Sequence, residues 1–465
     1  MVVVSIIRNK YLAVSIGVEG FGMFNLISSF FLFLGYFSGI WLESPTIKYL
    51  SEYNSDNDIV SVQKVFDFSF SIVAILTIIV FCVVIIFSSV IKYYFLSPDI
   101  PFTYFSLFAA SFIATRLTSV FQATFQAFKL VKKTAVIRIY SNIVNLLSII
   151  ILVYFFDLLG FFISIFISSV IILLLFWRDA KNIIVIKIKK PVFKDNISKK
   201  MIKFIKVGLY LSFINNTSEY LKRFIIVSFS NISTLGLYHA SFGLTKYLGI
   251  VSQSALFYYR PKMSENICIE NRNSVLNNYL RIILLSGTVF STVSILFGKL
   301  AIKVLYAESF LSLANVLYIF IIAQLLVNIQ MGFQAITVGI ARLKIHSLAT
   351  TLSHLITIAV PFIFLKKYGL ITLGIGTIVA SVLHSFINYF YLKKRIGIIL
   401  TSDNINLLVI SGLSIWIAVV MVDVLIYFKF VIILLLLISL FFQLNIEEKY
   451  SIKMLLIRIM NRVKK

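Results

Sequence analysis

Six basic residues stand well inside long apolar stretches of this sequence, away from the ends: Arg8, Lys10, Arg116, Lys222, Arg223 and Lys246. A charge held in the middle of a bilayer is expensive, so it normally faces a partner or a water-filled cavity. Guanidinium and ammonium groups lining such a cavity would meet phosphate oxygens through charge-assisted hydrogen bonds. Polar residues recur around these cations at helical spacing. Asn215, Glu219, Lys222 and Arg223 share one helix side, and Ser111, Thr115, Ser119, Gln122 and Gln126 form a stripe beside Arg116. Gln330 and Gln334 repeat the glutamine pair, while His239, Lys246 and Gln253 fall at seven-residue steps. A last stripe holds Thr377, Ser381, His384, Asn388 and Tyr391. The expected site is therefore cationic, built from the six basic residues, with Asn215, Glu219, Gln122, Gln126, Gln330, Gln334, His384 and Asn388 as its polar lining.

Each of these residues also has a structural reading. Arg8 and Lys10 either line a cavity or snorkel from a shallow N-terminus. Lys222 either meets a ligand or bridges Glu219 one turn away. Arg116 and Lys246 lie near mid-membrane, where snorkelling is hard and a cavity is favoured. The Ser, Thr, Asn and Gln stripes either touch substrate or glue helices together. His346 and His354 read as packing or interfacial residues rather than proton carriers. Other chemistry lacks its residues. There is no phosphate-binding Gly-x-x-x-x-Gly-Lys-[Ser/Thr] loop, no nucleophile–base arrangement and no loop long enough for a catalytic domain. Cys82 and Cys268 give no metal spacing and no expected disulfide. No enzyme activity, cofactor or metal is expected. Membrane-embedded acids are few, chiefly Glu219, with Asp157 at an interface.

The elements that must position these residues are transmembrane helices. The 465 residues are 60% hydrophobic and only 13% charged, with a mean hydropathy of +0.99, far from the balance of a soluble domain. Apolar runs of bilayer length predict about fourteen spans: 1–16, 21–42, 68–91, 101–128, 134–156, 158–177, 204–229, 235–259, 279–304, 313–338, 347–365, 370–391, 405–422 and 430–444. With the N-terminus inside, only Lys92, Lys299, Lys303, Lys366, Lys367 and Lys429 fall in periplasmic loops or at the periplasmic end of a span, and most of the 43 Lys and Arg lie on the cytoplasmic side. The net charge of +25 is thus a topology signal with both termini inside, not a nucleic-acid footprint. The loop 178–203 and the tail after residue 446 are basic and read as surfaces resting on anionic headgroups.

A weak repeat divides the chain. Gln122–Ala127 returns as Gln330–Ala335 at an offset of 208, Gly22 pairs with Gly236 at 214, and Ser51-Glu52 with Ser264-Glu265 at 213. The expected organisation is a six-helix lobe (1–178), a basic cytoplasmic linker (179–203), a second six-helix lobe (204–395), two peripheral helices (396–445) and a basic tail (446–465). Six is even, so the lobes are parallel repeats with a pseudo-twofold along the membrane normal and a path between them. Lys222 and Arg223 map to positions 8 and 9 of the first lobe. The first span covers only about 24 Å, and the repeat leads one to expect an additional apolar stretch of about ten residues before Met1.

The stretch Leu12–Phe24, with Gly17, Gly20 and Gly22, resembles the glycine-bearing exit from helix one of Wzx-type O-antigen flippases of the multidrug/oligosaccharidyl-lipid/polysaccharide (MOP) superfamily. Asn231–Ala240, with Gly236 and Tyr238, is similar to its counterpart after helix seven, and the Lys-rich linker before Phe204–Gly208 to the junction between halves. The resemblance covers roughly Tyr11 to Arg395. It implies a two-lobed bundle in the bacterial inner membrane that moves an undecaprenyl-pyrophosphate-linked oligosaccharide to the periplasmic leaflet by alternating access. It also implies polysaccharide assembly proteins as partners, and basic residues of the kind seen at Arg8, Lys10, Lys222 and Arg223. Two alternatives remain: a cation-coupled, MATE-like drug exporter, which would need embedded carboxylates, and a polysaccharide polymerase, which would need a long periplasmic loop.

Overall fold

The computed structural model describes residues 2–187, 195–264, 269–340 and 342–444, and among them the regular structure is helical throughout. In chain order the helices are α1 (Val2–Ser15), α2 (Gly17–Gly35), α3 (Glu43–Ser55), α4 (Ile59–Ile86), α5 (Ser88–Phe95), α6 (Phe102–Ala127) and α7 (Val131–Ala180). They continue as α8 (Asn196–Phe229), α9 (Ile232–Lys246), α10 (Gly249–Ser264), α11 (Ile269–Leu296), α12 (Gly298–Leu305) and α13 (Ala314–Gly339). Last come α14 (Leu343–Tyr368), α15 (Ile371–Ile396), α16 (Ser402–Val420) and α17 (Ile426–Gln443). Among the described residues nine helices are long and apolar enough to cross a membrane. Large apolar side chains such as Ile78, Ile79, Ile86, Leu434, Leu435 and Phe442 point outward, as a lipid-facing surface requires. The protein is an all-helical, multi-pass membrane protein.

Several boundaries differ from the hydropathy reading for local reasons. The fifth and sixth expected spans are the two arms of α7, reversed at Asp157, whose φ of 47° and ψ of −129° break the helix. Gly160 lets the second arm start tight against the first, since a Cβ there would lie 1.9 Å from the Leu152 carbonyl oxygen. The expected span 235–259 is broken into α9 and α10. Helix α8 begins at Asn196, eight residues before the apolar run, capped by the Asp195 carboxylate on the Asn196 N–H at 2.9 Å. Polar α3, too hydrophilic to stand out as an apolar run, packs on α4 and α6. Residues 188–194, Cys268 and the basic tail lie outside the described residues.

Helix lengths repeat along the chain. Helices α4 and α11 both have 28 residues, α5 and α12 both 8, and α6 and α13 both 26. By contacts, however, the chain forms two compact units: Met1–Ala240 with Lys303–Phe310 and Thr357–Thr372, and Ser241–Ile302 with Leu311–Ile356 and Leu373–Lys465. The first unit thus takes in α8 and the start of α9. Its core is aromatic, with Phe121 set 5.5 Å from Phe70 and 6.0 Å from Trp177 between ring centroids. Inside this unit α2 crosses α9 at glycine. A Cβ on Gly22 would lie 2.0 Å from the Ile232 carbonyl oxygen, and one on Gly236 would lie 1.9 Å from that of Val18. Residues 18 and 232 stand at the same offset of 214 as the two glycines, so the contact is reciprocal, as a local twofold demands. Small residues are what let two membrane helices approach this closely.

Candidate functional site

The first unit contains a cavity of about 120 Å³ beside α1, α2, α7 and α9. Its polar lining is Arg8 and Asn9 of α1, Asn145 of α7 and His239 of α9, set against the rings of Phe21 and Phe24. These side chains converge because α1 presents Arg8 and Leu12 one turn apart and because the glycine crossing brings α9 close to α2. The His239 ring centroid lies 6.0 Å from Phe21 and 6.2 Å from Phe24, and Phe24 is edge-on to Phe161 at 5.0 Å. Asn145 donates to the Ser168 hydroxyl at 2.7 Å, which fixes its amide. Arg8 is half-buried and reaches the Asn9 side-chain oxygen at 3.5 Å. A cation, two amides and flat aromatic faces suit a small anionic or ring-shaped polar group.

Next on α8 stands a charged cluster. Glu219 accepts from Lys222 and from Arg223, the latter at 2.7 Å. The Arg223 Nε donates to the Asn25 side-chain oxygen of α2 at 3.0 Å. Glu219 thus holds both cations, and the bridge that spacing allowed for Lys222 is present. Arg116 of α6 is 6% exposed and meets Glu43 at the start of α3 at 3.3 Å. Its Nε and Nη2 are buried and have no hydrogen-bond partner among the described residues. Lys10 donates its ammonium to the carbonyl oxygens of Lys303 (2.7 Å) and Tyr306. It caps the C-terminal end of α12, where the helix dipole is negative.

The remaining expected site residues are spread out. Asn215 and Gln126 are exposed, and Gln122 accepts from Arg138 at 3.2 Å. In the second unit Lys246 is exposed in the last turn of α9, and Gln330 and Gln334 are half-buried on α13. His384 and Asn388 are buried on α15: Asn388 accepts from the Thr337 hydroxyl at 2.7 Å, and the Ser353 hydroxyl lies 3.2 Å from the His384 Nδ1.

Several polar partners escaped sequence reasoning. Glu43 follows an apolar run and so read as a loop residue. Asn25 lies at the 214-residue offset from His239, which already stands in a polar stripe, so that signal was present. Arg281, only 7% exposed, sits near the end of its span and read as cytoplasmic; it meets Asp403 at 3.9 Å and the Gln443 carbonyl, tying α16 and α17 to α11. Asn328 is the fifteenth residue of α13, as Arg116 is of α6. It bonds Ser252 at 2.9 Å and the Leu248 carbonyl at 3.4 Å, filling the break between α9 and α10. Each helix of this repeated pair therefore sends a polar residue into the broken helix of its own half.

Residues 2–258 match the model of a protein family described as polysaccharide biosynthesis protein. No curated protein sequence matches the chain. Among solved structures, the lipid II flippase MurJ in an inward closed conformation is 15% identical, with a TM-score of 0.74 over 93% of this chain and 94% of that one. An inward-facing multidrug resistance MATE family transporter of the MOP superfamily is 12% identical, with a TM-score of 0.70 over 84% and 93%. A MOP superfamily transporter from Pyrococcus furiosus is 14% identical, with a TM-score of 0.61 over 84% and 91%. At such identities the likeness is one of fold.

Proposed function

The chain belongs to the polysaccharide biosynthesis protein family, and from that premise we propose that it is a flippase for a polyprenyl-pyrophosphate-linked oligosaccharide. The match of residues 2–258 to that family carries the reading, on a chain with the MATE- and MurJ-like fold. The substrate in this reading is an undecaprenyl-linked O-antigen or related repeat unit. It passes from the cytoplasmic to the periplasmic leaflet of a bacterial inner membrane by alternating access, and no covalent chemistry is done on it. Both termini are cytoplasmic, and polysaccharide assembly proteins supply and consume the repeat unit.

The cavity beside Arg8 supports the chemistry. Its guanidinium offers paired donors to a phosphate oxygen, and the amides and rings around it suit the adjoining sugar. Arg116 offers a second site, because its buried unpartnered edge can accept an anion. The expected embedded carboxylate, Glu219, is already engaged by Lys222 and Arg223, which argues against a cation-binding drug exporter. The test is restoration of surface polysaccharide in a bacterial strain lacking its own flippase. Wild-type protein should restore the polymer, and Arg8→Gln should lower it about tenfold or more, as expected for losing one charge-assisted hydrogen bond of about 1.5–3 kcal/mol. Resistance to cationic drugs without polysaccharide would overturn the reading.

A further inference from the structure

Three of the four histidines fall in the second unit, and two of them form a buried pair across neighbouring helices. His384 of α15 is 1% exposed and His346 of α14 is 6% exposed; their ring centroids lie 6.4 Å apart, edge to face at 68°. Hydrogen bonding sets the tautomer of His384. The Ser353 hydroxyl has one proton and faces two groups that can only accept, the carbonyls of Ala349 at 2.8 Å and Ala380 at 3.2 Å. Given to the nearest of these acceptors, the Ala349 carbonyl, that proton leaves the hydroxyl oxygen to accept from the His384 Nδ1 at 3.2 Å. In this assignment Nδ1 carries the hydrogen and Nε2 the lone pair. That Nε2 is buried and has no hydrogen-bond partner among the described residues. Buried polar atoms are normally satisfied, so a basic nitrogen left open in this way calls for a donor.

The surroundings narrow what the donor is. From α14 the titratable groups acting on His384 are His346 and His354. From α13 the facing group is neutral Thr337, bonded to Asn388, whose amide donates to the His384 carbonyl at 2.8 Å. The His346 Nδ1 lies 3.5 Å from the Thr350 hydroxyl. His346 stands in the first turn of α14, the end that charge placement reads as cytoplasmic.

We propose that the Nε2 of His384 is the binding site for a transported proton, with His346 as the relay between it and the cytoplasmic end of α14. Binding adds H⁺ to the Nε2 lone pair and makes an imidazolium; release returns the neutral ring and passes the proton to His346. Like charges exclude each other at this range, so the cluster carries one proton at a time. What the proton drives rests on the flippase reading above: it moves inward as the lipid-linked head group moves outward.

Charge movement tests this without the oligosaccharide. Purified protein in phosphatidylethanolamine–phosphatidylglycerol liposomes on a solid-supported membrane should give a transient current after a pH jump. His384→Gln should reduce the displaced charge at least tenfold. Ser353→Ala should keep the charge but move its half-maximal pH, because the Nδ1 hydrogen loses its acceptor. His346→Gln should slow the transient without reducing the total charge. No current from wild type, or a full current from monodisperse His384→Gln protein, would overturn the site. Should His384→Gln fail to insert, an unmoved midpoint in Ser353→Ala would overturn it instead. A histidine-dependent current from a protein that restores no polysaccharide would uphold the proton site and sink the flippase reading.

Discussion

At the scale of single residues, the cations in this protein divide by what already holds them. Lys222 and Arg223 share Glu219, with side chains only 11% and 12% exposed against 31% for the carboxylate. Removing one member of such a cluster leaves the others under-compensated, so the effects cannot add. Glu219→Gln and Lys222→Gln should each lower thermal stability in detergent. The double variant should be less damaged than their sum, with a coupling of about 1–3 kcal/mol; simple additivity would show that the bridge contributes nothing. Lys10 belongs with these structural cations, since its ammonium caps the end of α12. Lys10→Gln should cost about 0.3–1 kcal/mol of stability, the range of a charge at a helix terminus, while polysaccharide export changes less than in Arg8→Gln. Equal loss of export at unchanged stability would place Lys10 on the substrate path instead.

At the scale of elements, the crossing of α2 and α9 leaves no room for a side chain. The atoms that a Cβ would strike at Gly22 and Gly236 are backbone carbonyl oxygens, which cannot swing aside as a side chain could. Gly22→Val or Gly236→Val should force the helices apart and destabilise the fold by about 1–3 kcal/mol, the range for overpacking, read as a lower unfolding temperature. Gly208 makes the control. A Cβ there meets nothing within 4 Å, so Gly208→Ala should be neutral or slightly stabilising. The crossing also explains why Gly22 and Gly236 were visible as a repeat: the same backbone approach is needed twice, once from each side. The breaks near residues 36–42 and 247–248 were not visible. Hydropathy averages over windows longer than a turn, and what occupies the second break is the side chain of Asn328, 80 residues away from Leu248.

For the whole molecule, orientation is the property that charge placement addresses most directly. In a variant whose own Cys82 and Cys268 are replaced by serine, a cysteine at Lys366 should react with a membrane-impermeant maleimide added to intact cells or spheroplasts. A cysteine at Lys393 should react only after the membrane is opened. The reverse pattern would invert every loop assignment and move the His346 end of α14 to the periplasmic side. The division of the chain is a separate matter. The repeat predicts a boundary in the basic linker, whereas the compact units follow contacts and place α8 with the N-terminal helices.

By itself the sequence determined the class of this protein, because hydropathy and charge are sums over many residues and survive errors in any one of them. It also carried the repeat, the Glu219–Lys222 pairing and the family resemblance, since all three depend on spacing along one chain. Which cations are already satisfied was decided only by tertiary structure. Lys10 finds its carbonyl partners 293 and 296 residues away, and Arg116 finds Glu43 across 73 residues. No local pattern encodes such meetings, because the partners are neighbours only after the helices pack. The same holds for His384. Its stripe on α15 was legible, but assigning the open lone pair to Nε2 rests on a serine 31 residues away whose hydroxyl lies nearest the Ala349 carbonyl.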